Sequence, residues 1–94
     1  MDLADLRKEI QSVDEDIVWL IAERISLAEK IFAAKKERGL KIEDAQQEKQ
    51  VINNALDLAT ELFLDAGAIK EIVEILIKMS REKQHELLGE DNLP

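Results

Sequence analysis

The sequence predicts an all-α fold of three helices, the first of them too long for the other two to cover. Three observations carry this. Proline occurs only at the last residue and glycine only at 39, 67 and 89, where periodic segments end as helix-stop signals should. Alternating strand-type patterns are missing. Apolar residues recur at spacings of three and four through more than the first third of the chain. The expected helices cover about residues 3–38, 44–64 and 66–88 of a single domain spanning 1–94.

The first segment holds a heptad seam: Leu3, Leu6, Ile10, Val13, Ile17, Leu20, then Arg24, then Leu27 and Ile31. A second stripe, Val18, Ile21, Ile25, Ala28 and Phe32, runs about 100° around the same helix. Two apolar stripes ask for more than one packing partner. A helix over 3–38 is roughly 54 Å long, whereas a compact chain of this size has a radius of gyration of about 12 Å. Two short helices cannot cover such a rod, so the pattern predicts an intertwined homodimeric helical bundle. The alternative is a monomeric three-helix bundle with the first helix broken near Arg24.

The second helix opens with Asp44-Ala45-Gln46-Gln47, an N-cap with a capping-box partner. Val51, Ile52, Ala55, Leu56, Ala59, Leu62 and Phe63 supply its expected buried face. Asp65 reads as the next N-cap. The third helix buries Ile69, Ile72, Val73, Leu76 and Ile77, and Gly89 is expected to end it.

Composition narrows the function. The formal net charge of −8 argues against nucleic acid, since phosphate binding rests on excess Lys and Arg. The three aromatic residues, Trp19, Phe32 and Phe63, argue against base stacking. A lone histidine and no cysteine leave no built metal site, no disulfide and no thiolate chemistry. The longest apolar run, Ile17 to Ala22, is too short for a membrane span, and the acidic start Met1-Asp2-Leu3-Ala4-Asp5 lacks a signal-peptide layout. These features suit a cytoplasmic protein, and any anion site must be a local cluster of cations.

Polar residues stand where apolar ones are expected. Arg24 occupies a seam position, where a guanidinium needs an anion: either a ligand or a carboxylate on a neighbouring helix. Lys35, eleven residues on, projects from nearly the same face, although alone it reads as a solvated charge or a partner for the helix dipole. Arg7 lies about 25 Å back along the axis and about 100° around it. It can join an Arg24/Lys35 site only from an antiparallel second chain; otherwise it is a surface charge near Asp5 or Glu9. Ser80 and Gln84 extend the stripe of the third helix, either to meet a ligand or because the helix emerges into solvent there. Asp44 and Glu48, four apart at a helix start, also suit the macrodipole with no further role. His85 reads as surface, and Trp19 as packing at an edge.

Together these segments resemble the all-helical chorismate mutases. The match runs through Leu6-Arg7-Lys8-Glu9-Ile10-Gln11-Ser12-Val13-Asp14 and Leu20-Ile21-Ala22-Glu23-Arg24-Ile25-Ser26-Leu27-Ala28, with Ile31 and Ala34-Lys35. It continues through Ile42-Glu43-Asp44 with Glu48, and ends with Ile77 to Gln84. The resemblance implies an isomerase of aromatic amino acid biosynthesis that rearranges the small molecule chorismate to prephenate, with no cofactor and no metal. It implies a homodimer with shared sites, in which Arg24 and Lys35 of one chain and Arg7 of the other bind the substrate carboxylates and ether oxygen. Gln84 would join Lys35 at the ether oxygen, Ser80 would contact a carboxylate, and Asp44 and Glu48 would serve the ring hydroxyl. Where the family commonly carries Arg before this Glu, the chain has Gln47, with Lys49 the nearby candidate to replace that cation. Two rival readings remain: an isochorismate pyruvate lyase on the same fold, and a non-enzymatic dimeric helical adaptor.

Overall fold

In the computed structural model, which describes the backbone of residues 1–91 and the side chains of residues 1–89, the chain forms three α-helices. These are α1 (Leu3–Glu37), α2 (Ala45–Glu61) and α3 (Ala66–Asp91), with no strand among the described residues. The 35 residues of α1 are unbroken through Arg24, about 52 Å of helix, in a molecule 58 Å along its longest axis.

Local chemistry sets the helix ends. The Asp2 side chain accepts from the Asp5 N–H at 2.9 Å and starts α1. Asp5 in the first turn, with Lys35 and Lys36 in the last, suits its dipole. At the far end Gly39 takes φ +67, Leu40 N–H donates to Lys35 C=O at 2.8 Å, and Gly39 N–H donates to Lys36 C=O at 3.2 Å. This paired closure needs a left-handed residue, and glycine supplies it without a Cβ penalty. Asp44 caps α2 by accepting from Gln47 N–H at 3.1 Å; no return bond from the Gln47 side chain occurs among the described residues. Asp65 Oδ1 caps α3 through Gly67 N–H at 2.9 Å and Ala68 N–H at 3.3 Å.

Several expectations are corrected here. Helix α2 stops at Glu61, and Phe63 adopts the left-handed conformation (φ 57) that closes it, with Leu64 N–H donating to Ala59 C=O at 2.8 Å. The closure matches the one at Gly39, but a phenylalanine performs it, so no glycine marks the end. Phe63 is 97% exposed, and Leu62 and Ile72 are also open in the single chain rather than buried. Gly67 does not stop a helix: it lies in the first turn of α3, where a Cβ would stand 3.3 Å from the capping Asp65 Oδ1. Gly89 does not end α3 either, because a helical glycine costs only about 1 kcal/mol relative to alanine and the helix continues to Asp91.

Helix α3 is the central element. Side-chain pairs Arg24–Ser80, Glu29–Lys83 and Lys35–Gln84 rise together, so the second half of α1 runs parallel to α3. Glu43–His85 and Glu48–Arg81 run oppositely, so α2 is antiparallel to it. No Cα of α1 comes within 8 Å of one in α2. The small core consists of Ala28 and Phe32 from α1, Ala59 from α2 and Ile77 from α3, with Ile21 and Ile25 half-buried beside it. Thus the second stripe of α1 faces α3 from Ile21 onwards, while Val18 above it stays exposed. Residues 3–20 of α1 are exposed throughout, and Trp19 is 75% open rather than packed at an edge. The radius of gyration, 16.8 Å, exceeds the roughly 12 Å of a compact chain of this length. No helix among the described residues is long and apolar enough to cross a membrane.

Candidate functional site

The gap between α1 and α2, floored by α3, is a cavity of about 290 Å³. That is close to the lower end of the range of about 300–1,000 Å³ for small-molecule sites. Leu27, Ala28, Ile31, Ile42, Val51 and Ile77 form apolar walls, and seven charged or polar side chains beside Gln47 complete the lining: Arg24, Lys35, Asp44, Glu48, Ser80, Arg81 and Gln84.

Arg24 answers no carboxylate among the described residues. One of its terminal nitrogens donates to Leu76 C=O at 3.0 Å and to Ser80 Oγ, which anchors the guanidinium to α3. Its other nitrogens make no hydrogen bond among the described residues and remain available as donors. Lys35 Nζ donates to Ile42 C=O at 2.6 Å and lies 3.5 Å from Gln84 Oε1. Gln84 is only 6% exposed, so α3 has not emerged into solvent at this point. With its oxygen turned to Lys35, the Gln84 amide nitrogen is left to donate elsewhere. The cavity therefore carries donors from α1 and α3 held in advance by backbone carbonyls and by one another.

The acidic side is arranged differently. Asp44 spends one carboxylate oxygen on the α2 cap. Glu48 accepts at both oxygens, 2.9 and 3.1 Å, from one terminal nitrogen of Arg81. Arg81 was not singled out from the sequence. Its signal was its spacing, four residues after Ile77 and three before Gln84 on one helix face. Lys49 is exposed and outside the lining, so Arg81, not Lys49, is the additional cation near Gln47. Arg7 is also exposed and absent from the lining, as its position along α1 requires.

Three ion pairs, centred on His85 and Lys83, frame the site from outside. His85 Nε2 donates to Glu43 Oε1 and ties the segment between α1 and α2, which carries the Ile42 carbonyl, to α3. That hydrogen bond, with His85's charge and a backbone bond adding to it, holds the Glu43 carboxyl below its ordinary range. Lys83 bridges Glu29 and Glu86 at 3.6 Å each, and attraction from Glu86 first and then Glu29 raises its ammonium above the usual lysine range. Among the described residues no three His, Cys, Asp or Glu side chains gather in a way that could hold a metal ion.

The chain has clear relatives. It is 35% identical to a chorismate mutase of Methanocaldococcus jannaschii, over 94% of this chain and 89% of that one. It is 36% identical to the bifunctional chorismate mutase/prephenate dehydratase of Aquifex aeolicus, over 86% of this chain but 21% of the relative. The corresponding bifunctional protein of Buchnera aphidicola is 33% identical over 87% of this chain, again 21% of the relative. The family model described as chorismate mutase type II matches residues 6–85, which hold the cavity and its flanking helices; the chain belongs to that family.

Proposed function

We propose that the protein is a cytoplasmic homodimer that rearranges chorismate to prephenate in the cavity between α1 and α2. The observation that carries this reading is the convergence of Arg24, Lys35 and Gln84 on one small cavity in a chain of net charge −8. Such a cluster suits a small dianion. Arg24 would grip one substrate carboxylate, with Ser80 beside it, and Arg7 of the partner subunit would grip the other. Asp44 and Glu48 would serve the ring hydroxyl.

The reaction is intramolecular: one C–O bond breaks as one C–C bond forms, with no nucleophile or proton shuttle. Two effects would carry it. Charged forks hold the flexible substrate folded, with its reacting carbons near each other. Lys35 and Gln84 meet the negative charge that grows on the ether oxygen, each well-placed donor contributing about 3–4 kcal/mol in a site dried by its apolar walls.

Surface area supports the second subunit. The chain exposes 7657 Å², whereas a compact monomer of 10.7 kDa exposes about 5,500 Å². The excess, roughly 2,000 Å², is of the size that obligate interfaces bury. The seam residues Leu3, Leu6, Ile10, Val13 and Ile17 are all open and contribute to it. A partner antiparallel to α1 would also carry its Arg7 toward the cavity.

The test follows loss of chorismate by absorbance, with prephenate as the expected product. Lys35→Ala is expected to lower turnover at least about a hundredfold while the dimer stays folded. Near-normal turnover in that variant removes Lys35 from the mechanism. Inactivity on chorismate, with salicylate and pyruvate formed from isochorismate instead, would assign the lyase reaction.

A further inference from the structure

We propose that Arg81 is a substrate-binding residue of this cavity, making its lining net positive and holding Glu48 in place; this rests on the chorismate reading above. Three cations line the cavity, Arg24, Lys35 and Arg81, against two carboxylates, Asp44 and Glu48. Without Arg81 the cations and carboxylates balance, and a dianion would enter a neutral cavity in a strongly acidic chain. The surrounding field would then oppose binding instead of being locally reversed.

The contact geometry agrees. A single Arg81 nitrogen spans both Glu48 oxygens at 2.9 and 3.1 Å. Its remaining guanidinium nitrogens make no hydrogen bond among the described residues, so they are available to an anion without release of Glu48. Each carboxylate oxygen keeps a second lone pair, so Glu48 can accept from a hydroxyl while Arg81 holds it. The pair is only partly buried, which lets the guanidinium turn toward the cavity with little desolvation cost. Arg81 shares the helix face of Ile77 and Gln84, so the floor of the site directs it there.

The experiment measures kcat and KM for chorismate in the wild type, R81Q, R81K and E48Q/R81Q, with Tm for each. R81Q is expected to raise KM about tenfold with kcat within about threefold, the pattern of lost ground-state binding to an anion. R81K keeps the charge and should recover most of that loss. In E48Q/R81Q the carboxylate that R81Q leaves uncompensated is gone, while an amide oxygen can still accept from a hydroxyl. Its KM should therefore fall below that of R81Q, a coupling that independent effects would not give. A KM for R81Q within twofold of wild type overturns the proposal, as does an R81K no better than R81Q. If R81Q does not fold, R81K against the neutral pair decides: the pair lacks the cation that R81K keeps, so its KM should exceed that of R81K, and a KM within twofold of that of R81K overturns the proposal. A wild type inactive on chorismate sinks the functional reading itself and is told apart from all of these.

Discussion

Residues 3–20 and 21–37 of α1 share one unbroken helix and one heptad rule, yet they meet different surroundings. In the second half the stripe Ile21, Ile25, Ala28 and Phe32 sits on α3, and the seam beside it, with Arg24, Leu27, Ile31 and Lys35, walls a cavity. In the first half every residue is exposed, although Leu3, Leu6, Ile10, Val13 and Ile17 follow the same spacing. The contrast shows what a periodic apolar pattern specifies. It requires a covering surface but does not say which one. Where Arg24 and Lys35 interrupt it, the pattern lines a cavity; where it stays apolar in the first half, the second subunit proposed above would cover it.

The largest test of that contrast is to spoil the open half. Ile10→Glu with Ile17→Glu places four charges in a two-chain seam, and sedimentation should then report single chains with chorismate turnover below detection. A stable, active dimer in that variant would mean that the seam is not the interface. A smaller effect asks whether the halves of different chains build one site. Arg7→Ala and Lys35→Ala should each be nearly inactive. Refolded together in equal amounts they should regain roughly a quarter of wild-type turnover, because half of the random dimers are mixed and each of those holds one intact site. No recovery would confine Arg7 to its own chain.

The smallest effect concerns the clasp outside the cavity. The His85 hydrogen bond lowers the Glu43 carboxyl in the folded state. The stabilisation it gives is therefore present above the ordinary carboxylate range and is lost as pH falls through the folded-state value. In His85→Ala the NMR titration midpoint of Glu43 should move up, and its small Tm deficit relative to wild type should vanish in acid. An unchanged midpoint would show that the contact does not act on Glu43. Because this clasp holds the segment bearing Ile42 C=O, the variant also asks whether Lys35 depends on it.

Much of the cavity was legible in the sequence because helical spacing fixes which residues share a face. Arg24 with Lys35, and Ser80 with Gln84, follow from that rule, and all four line the cavity. Arg81 was missed because a lone arginine on an exposed-looking helix is ordinary, and only its meeting with Glu48 across 33 residues marks it. The clasp between Glu43 and His85 was missed for the same reason. The ends of α2 and α3 were misjudged because glycine favours a left-handed turn without compelling one, and Phe63 accepts that conformation at some cost.

The sequence by itself determined the helical class, the rod-like first helix and the caps at Asp44 and Asp65, since these depend on interactions within a few residues. Only the tertiary structure decided that α1 and α2 stay apart over α3 and that Arg81 meets Glu48. Those outcomes depend on how three helices share one small core of Ala28, Phe32, Ala59 and Ile77. Local spacing sets which faces are apolar; packing between distant segments decides which of them touch and where a gap remains.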